Sequence, residues 1–224
     1  MSSIYYLLLY ILKSTLKAVP IQTDKFVALS ADEWQILYKI SAKQGVLAIV
    51  YDVISQLPAN CQPPRNIKLK WALGAEAIEN RYKIQFLGAS RLSELWSNEG
   101  IKTVVIKGFS LSKYYPVPNH RECGDFDCYL LGGKYEEGNV IAERNGAKVN
   151  REWYKHSQIF YRGMMAENHN YLVTTRKGRY AKVLNDVLID RIGELIPLYT
   201  SAFFLFIRPS NTSTNPTVSL SSSR

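Results

Sequence analysis

Asp125 and Asp127 stand two residues apart in Gly124-Asp125-Phe126-Asp127-Cys128-Tyr129-Leu130. In a strand, that spacing puts both carboxylates on one face and Phe126, Cys128 and Leu130 on the other, so one face is acid and one is core. Adjacent carboxylates repel each other and call for solvent, a base or a cation to stay ionised. Magnesium suits them, because it prefers hard oxygen ligands and takes one or two carboxylates together with substrate phosphates. Upstream, Ile106-Lys107-Gly108-Phe109-Ser110 reads as a strand end turning into a helix, where a glycine lets phosphate approach backbone N–H groups. Lys107 and Ser110 are the candidates to steady that phosphate. A D-x-D tripeptide or a Lys-Gly turn is common by itself; the order strand, glycine turn, helix, loop, D-x-D strand is far more specific.

The frame for these residues reads as follows. After Gly100 the β-branched run Thr103-Val104-Val105-Ile106 predicts a buried strand. Residues 108–115 read as a short helix, 116–123 as a loop and 125–131 as a second strand. Residues 135–144 form a helix ended by Asn145-Gly146, and 157–161 with 164–173 form a hairpin through Arg162-Gly163. Before Gly100 the pattern is helical. Residues 4–12 read as an amphipathic first helix, and Ser30 with Glu33 is a capping-box signature ahead of Trp34, Leu37, Tyr38 and Ile40. Residues 46–57 form an apolar helix that Pro58 ends, and the proline-free stretch 66–98 supplies one or two long helices. The expected organisation is α+β: a mainly helical region over residues 1–99, then a small mixed sheet flanked by helices over 100–195. An apolar stretch and a disordered tail follow over 196–224, where Pro, Ser, Thr and Asn dominate.

The 224 residues can bury a core, and 46% hydrophobic with 21% charged residues is globular rather than disordered composition. The apolar run near the start falls short of the roughly 20 residues a membrane helix needs. Lys13 and Lys17 follow that run rather than precede it, unlike a secretory signal. Three cysteines, Cys61, Cys123 and Cys128, form no disulfide framework, and reduced thiols in a cytoplasm are the simplest account. A net charge of +9 favours anionic partners: nucleotide, nucleic acid or a phosphorylated substrate. The basic excess gathers in residues 144–182, where a solvated basic surface is the plain alternative.

The segment VVIKGFSLSKYYPVPNHRECGDFDCYLL resembles uncharacterised bacterial nucleotidyltransferases of the DNA polymerase beta-like fold, which carry Lys-Gly, then Tyr-Pro, then Arg, then Asp-x-Asp. Lys107, Gly108, Tyr115, Pro116, Arg121, Asp125 and Asp127 fall on those positions. Further on, His156 and Glu167-Asn168-His169 resemble the family's His before one strand and Glu-x-His on the next. The resemblance spans residues 66–192 and is firmest over 104–130. It implies a sheet of the nucleotidyltransferase type, with Asp125, Asp127 and Glu167 as catalytic metal ligands. It also implies contacts of Lys107, Gly108, Ser110 and Arg121 with a nucleoside triphosphate, two magnesium ions, and release of pyrophosphate as an unspecified acceptor is modified. Two departures stand out: Gly-Phe-Ser where the wider fold often has Gly-Ser, and a low-complexity tail after Leu195 where family members continue into further helices.

Other readings of the same residues compete. Asp125 and Asp127 could be a solvated strand edge, Glu167 an exposed strand residue, and His156 and His169 packing or hydrogen-bonding residues. Lys107 could simply cap a strand. Arg121 could pair with Asp125 or Glu122, or contact phosphate. A zinc site would join Cys123, Cys128 and two of His120, His156 and His169, but the cysteine spacing lacks paired C-x(2-4)-C halves. At the level of function, the alternative to catalysis is a nucleotide- or nucleic-acid-binding module of the same fold without turnover.

Overall fold

A computed structural model of the chain describes residues 3–174, 176 and 178–203, the last eleven as backbone only. Of the apolar stretch and tail expected over residues 196–224, residues 204–224 lie outside them. The architecture is α+β: a helical N-terminal part followed by a small mixed five-stranded sheet.

The helical part forms where the sequence period is helical. Helix α1 (Ser3–Leu16) buries Ile4, Leu7, Leu8 and Ile11, one stripe at i, i+3, i+4 and i+7. A short helix α2 (Asp24–Val27) follows. Helix α3 (Ala31–Lys43) opens with the capping box, in which the Ser30 hydroxyl accepts from Glu33 N–H and the Glu33 carboxylate accepts from Ser30 N–H. Helix α4 (Leu47–Gln56) stops before Pro58.

After Pro63 and Pro64 comes α5 (Arg65–Asn98), one continuous helix of 34 residues, hence about 51 Å long at 1.5 Å per residue. Its first half contributes Ile67, Trp71, Ala75 and Ile78 to a core shared with α1, α3 and α4. Its second half contributes Ala89, Leu92 and Trp96 to a second core beneath the sheet. Gly100, at φ 76°, takes the left-handed conformation that ends the helix, and the Ile101 N–H returns to the Trp96 carbonyl.

Strand β1 (Thr103–Val105) leads into α6 (Gly108–Ser112), then β2 (Phe126–Leu130), α7 (Tyr135–Arg144), β3 (Lys148–Asn150), β4 (His156–Tyr161) and β5 (Met164–His169). The strand order is β1-β2-β5-β4-β3, with β2 and β5 parallel and the other pairs antiparallel. The β4–β5 hairpin turns at Arg162 (φ 48°) and Gly163 (φ 80°), both left-handed, as a two-residue hairpin turn demands.

β5 ends at residue 169, short of the expected 173. Its partner β4 begins at His156, so the ladder runs out, and the Asn170 and Tyr171 N–H groups donate to the Lys155 carbonyl instead. Helix α8 (Arg179–Phe203) runs past residue 195; it, α2 and β3 have no counterpart in the sequence reading. No helix among the described residues is long and apolar enough to cross a membrane.

The sheet's two faces divide by residue parity. Phe126, Cys128, Leu130, Ile159 and Ala166 pack under α5 and α7, and on the same face Asn139 of α7 accepts hydrogen bonds from Ser157 and Asn168. Asp127, Glu167, His169 and His156 take the opposite face.

Candidate active site

Three polar ties from α5 hold the chain that enters β2. His120 is gripped between Asp52 of α4 (Nδ1 to Oδ1, 2.8 Å) and Glu79 of α5 (Nε2 to Oε1, 2.6 Å). Arg81 pairs with Glu122 at 2.9 Å, and the Gln85 amide donates to the Gly124 carbonyl at 2.9 Å. Asp125 therefore starts from a fixed point. On the other side of β2, Ile106 N–H donates to the Asp127 carbonyl at 3.0 Å and carries the β1 end alongside.

The parallel ladder places Asp127 directly opposite Glu167. Ligand atoms of Asp125, Asp127 and Glu167 all lie within 4.8 Å of one another. Asp127 is 3% exposed. Its carboxylate accepts from the Lys107 ammonium and lies 2.9 Å from His169 Nε2. Lys107 Nζ is also 4.0 Å from Glu167 Oε2 and 3.4 Å from His169 Nε2.

The two aspartates titrate in opposite directions. Burial works against the charge of Asp127, but hydrogen bonds from His169 and Lys107 outweigh it and hold the carboxyl below its usual range. Asp125 is pushed above its usual range, first by burial and then by the charges of Asp127 and Glu167, with Lys107 only partly compensating. An acid raised by two like charges fits a divalent cation, and three carboxylate oxygens are the hard donor set magnesium prefers.

His156 stands opposite His169 across β4 and β5, with Nε2 3.4 Å from Glu167 Oε1. Burial, followed by the charges of His169, Lys155 and Lys107, lowers its pKa. Both histidines thus sit on the acidic face rather than in the apolar core.

At the turn, the left-handed residue is Lys107 (φ 53°, ψ −122°), not Gly108. Such a conformation costs a non-glycine residue on the order of 1–3 kcal/mol and concentrates at functional sites. A Cβ on Gly108 would make only ordinary contacts, with Arg121 Nη1 at 3.6 Å the nearest. The Ser110 hydroxyl donates to the Lys107 carbonyl at 2.8 Å. Arg121 pairs with neither carboxylate considered for it; Glu122 is taken by Arg81, while the guanidinium reaches Cys123 Sγ at 3.0 Å and lies over the Tyr115 ring.

No cysteine joins a candidate metal cluster among the described residues. Burial raises the Cys123 thiol, and Cys128 is buried in the apolar core, its thiol pushed far up by burial. The basic excess is partly neutralised, since Arg151 pairs with Glu136 and Glu143 and Arg144 with Glu99.

What the sequence reading missed is the partnership of Lys107 with Asp127. Lys107 follows β1 and Asp127 lies in β2, and only the register β1-β2-β5 reveals that the ammonium turns back over the carboxylates.

A family model described as "uncharacterised nucleotidyltransferase" matches residues 30–197. The chain belongs to this family. Its family's matched region includes all of α3 through β5, and so every residue of the acidic face. No curated protein and no solved structure matches this nucleotidyltransferase family member.

Proposed function

We propose that the protein is a magnesium-dependent nucleotidyltransferase that moves a nucleotidyl group from a nucleoside triphosphate to an acceptor. The observation that carries this reading is the convergence to within 4.8 Å of Asp125, just before β2, Asp127 in β2 and Glu167 in the parallel-paired β5. Those carboxylates would hold magnesium, which when bound supplies charge neutralisation at the α-phosphate and the leaving pyrophosphate. In the transfer the acceptor oxygen forms a bond to the α-phosphorus, the bond to pyrophosphate breaks, and the acceptor loses a proton. Lys107 is half exposed and holds its ammonium at the rim of the carboxylates, where it can trade Asp127 for a phosphate oxygen. Gly108, Ser110 and Arg121 are assigned to the triphosphate, with Ser110 having to release the Lys107 carbonyl to serve it. The acceptor is a chemically open choice, an anionic one or a nucleic acid fitting the basic chain.

The test is pyrophosphate release from each nucleoside triphosphate, with and without Mg2+, in the wild type and in Asp125→Asn. Magnesium-dependent release that the substitution abolishes supports the assignment. A second reading, a binding module without turnover, is favoured by one observation: the Lys107 ammonium and His169 already compensate Asp127. Nucleotide binding without pyrophosphate release in any acceptor mixture would select it.

A further inference from the structure

We propose that His156, His169 and Glu167 form a second cation site, which takes a divalent transition ion of the zinc class rather than magnesium. The three side chains come from two neighbouring strands on one sheet face, His156 directly opposite His169 and Glu167 two residues before it. Their ligand atoms lie within 4.8 Å of one another. The His156 Nε2 to Glu167 Oε1 and His169 Nε2 to Glu167 Oε2 separations are both 3.4 Å. A tetrahedral ion with bonds of about 2.0–2.1 Å needs ligands about 3.3–3.4 Å apart along each edge, and each histidine nitrogen stands at that spacing from one oxygen of Glu167, His156 from Oε1 and His169 from Oε2.

The ring orientations agree. His169 Nδ1 faces the Tyr171 carbonyl at 3.4 Å, the outer-sphere contact that leaves Nε2 as the ligating nitrogen. His156 presents Nε2 to Glu167 Oε1, while its Nδ1 is buried with no hydrogen-bond partner among the described residues, so it lacks the outer-sphere contact that His169 has. Two imidazoles and one carboxylate select Zn2+, Co2+ or Ni2+ over Mg2+, which the all-oxygen set prefers. Three protein ligands also leave a coordination position for a water or a substrate oxygen. Glu167 is common to both donor sets, and an ion at the histidines takes His169 Nε2 from its hydrogen bond to Asp127 Oδ1 at 2.9 Å, with release of the Nε2 proton, and displaces the Lys107 ammonium 3.4 Å away. The histidine site shares only Glu167 with the carboxylate set, and the proposal does not depend on the transferase reading.

The protein carries its own reporter. Trp34, Trp71 and Trp96 are fully buried, whereas Trp153 is 57% exposed and stacks on the His156 ring at 6.2 Å. The experiment titrates the full chain with Co2+ alone, following visible absorption and tryptophan fluorescence. The variants are His156→Ala, Asp125→Asn and Trp153→Phe, with circular dichroism checking the fold. Expected are nitrogen-ligated Co2+ absorption and Trp153 quenching in the wild type, both retained in Asp125→Asn. In His156→Ala the Co2+ affinity should fall about 10-fold or more, given that even outer-sphere partners are worth 10–100-fold. Quenching should vanish in Trp153→Phe while absorption persists. Excess Mg2+ added to the Co2+-loaded wild type should leave the signal in place, a measurement that needs no variant. Equal Co2+ affinity in His156→Ala and wild type would overturn the proposal, as would displacement by Mg2+ together with loss in Asp125→Asn. Those results would assign the ion to the carboxylates. Retained Co2+ binding without pyrophosphate release would leave the histidine site standing and count only against the transferase reading.

Discussion

Replacing Asp125 by Asn should make the protein more stable in the absence of divalent ions and, at the same time, blind to magnesium. Asp125 sits within 4.8 Å of both Asp127 and Glu167. Two like charges at that distance repel by about 3.5 kcal/mol at an effective dielectric of about 20 and by about 0.9 kcal/mol in water. Asp125 is partly exposed and Lys107 offsets part of the repulsion, so the net gain on neutralising it is about 1–2 kcal/mol. For a chain of this size that is a rise in melting temperature of about 2–8 °C. The pH dependence has a definite sign. The folded-state pKa of Asp125 is raised, so its destabilisation is fully present above that value and disappears as pH falls through it toward the unfolded value. The advantage of Asp125→Asn should thus be present at neutral pH and vanish in acid. With saturating Mg2+ and nucleotide the order should reverse, because a ligand at 100 times its Kd stabilises the wild type by about 2.7 kcal/mol. The assay is a thermal-denaturation series in chelator and in Mg2+ with nucleotide, across the acid range. An Asp125→Asn protein that melts below the wild type in chelator at neutral pH, or that keeps the magnesium-dependent rise, would refute the reasoning.

Asp127→Asn should behave oppositely in chelator, losing about 1–3 kcal/mol in urea unfolding, because its buried carboxylate accepts from His169 and Lys107. That contribution is present above the unfolded-state pKa and is lost as pH falls through the lowered folded value. For His120, burial opposes the charged ring, but hydrogen bonds to Glu79 and Asp52 outweigh it and raise the pKa. Its stabilising effect should be complete below the unfolded value near 6.5 and fade as pH rises through the folded one, so wild type and His120→Gln should converge in urea stability on the alkaline side. Gly138→Ala should cost up to about 2 kcal/mol in the same assay, an overpacking penalty of about 1–3 kcal/mol less a helix-propensity gain of about 1 kcal/mol. A Cβ there would overlap Leu130 Cδ1 and come within 3.2 Å of Trp96 Nε1, both in the core.

Local chemistry made much of this fold legible. The capping box at Ser30 and Glu33, the stop at Pro58, the helix over residues 135–144 and the Arg162-Gly163 turn each depend on a few adjacent residues, and each forms where the pattern indicated. β3 was not legible, because Lys148-Val149-Asn150 becomes a strand only by pairing with residues 158–160 of β4. α8 follows Gly178 rather than a Ser, Thr, Asp or Asn cap, and its apolar residues Tyr180, Val183, Leu184, Val187 and Leu188 do recur at helical spacing, a signal the sequence reading passed over. At the site, alternation along one strand sufficed to put Asp125 with Asp127 and Glu167 with His169. It could not supply the strand order that brings the two pairs face to face.

That strand order also explains why the two aspartates of one tripeptide differ electrostatically. Asp127 lies inside the ladder, opposite Glu167, where Lys107 from the β1 end and His169 from β5 both reach it. Asp125 lies one residue before β2 begins and receives the repulsion of the other two acids with little of that compensation. The protein thus keeps one carboxylate satisfied by its own side chains and leaves the other in deficit. A cation that binds Asp125 relieves a penalty already present in the fold, whereas one that binds Asp127 must compete with Lys107 and His169. Metal affinity should therefore be more sensitive to Asp125, and fold stability to Asp127. Lys107 holds the balance between them, because withdrawing its ammonium toward a phosphate would raise the demand of all three carboxylates for a cation at the moment nucleotide arrives.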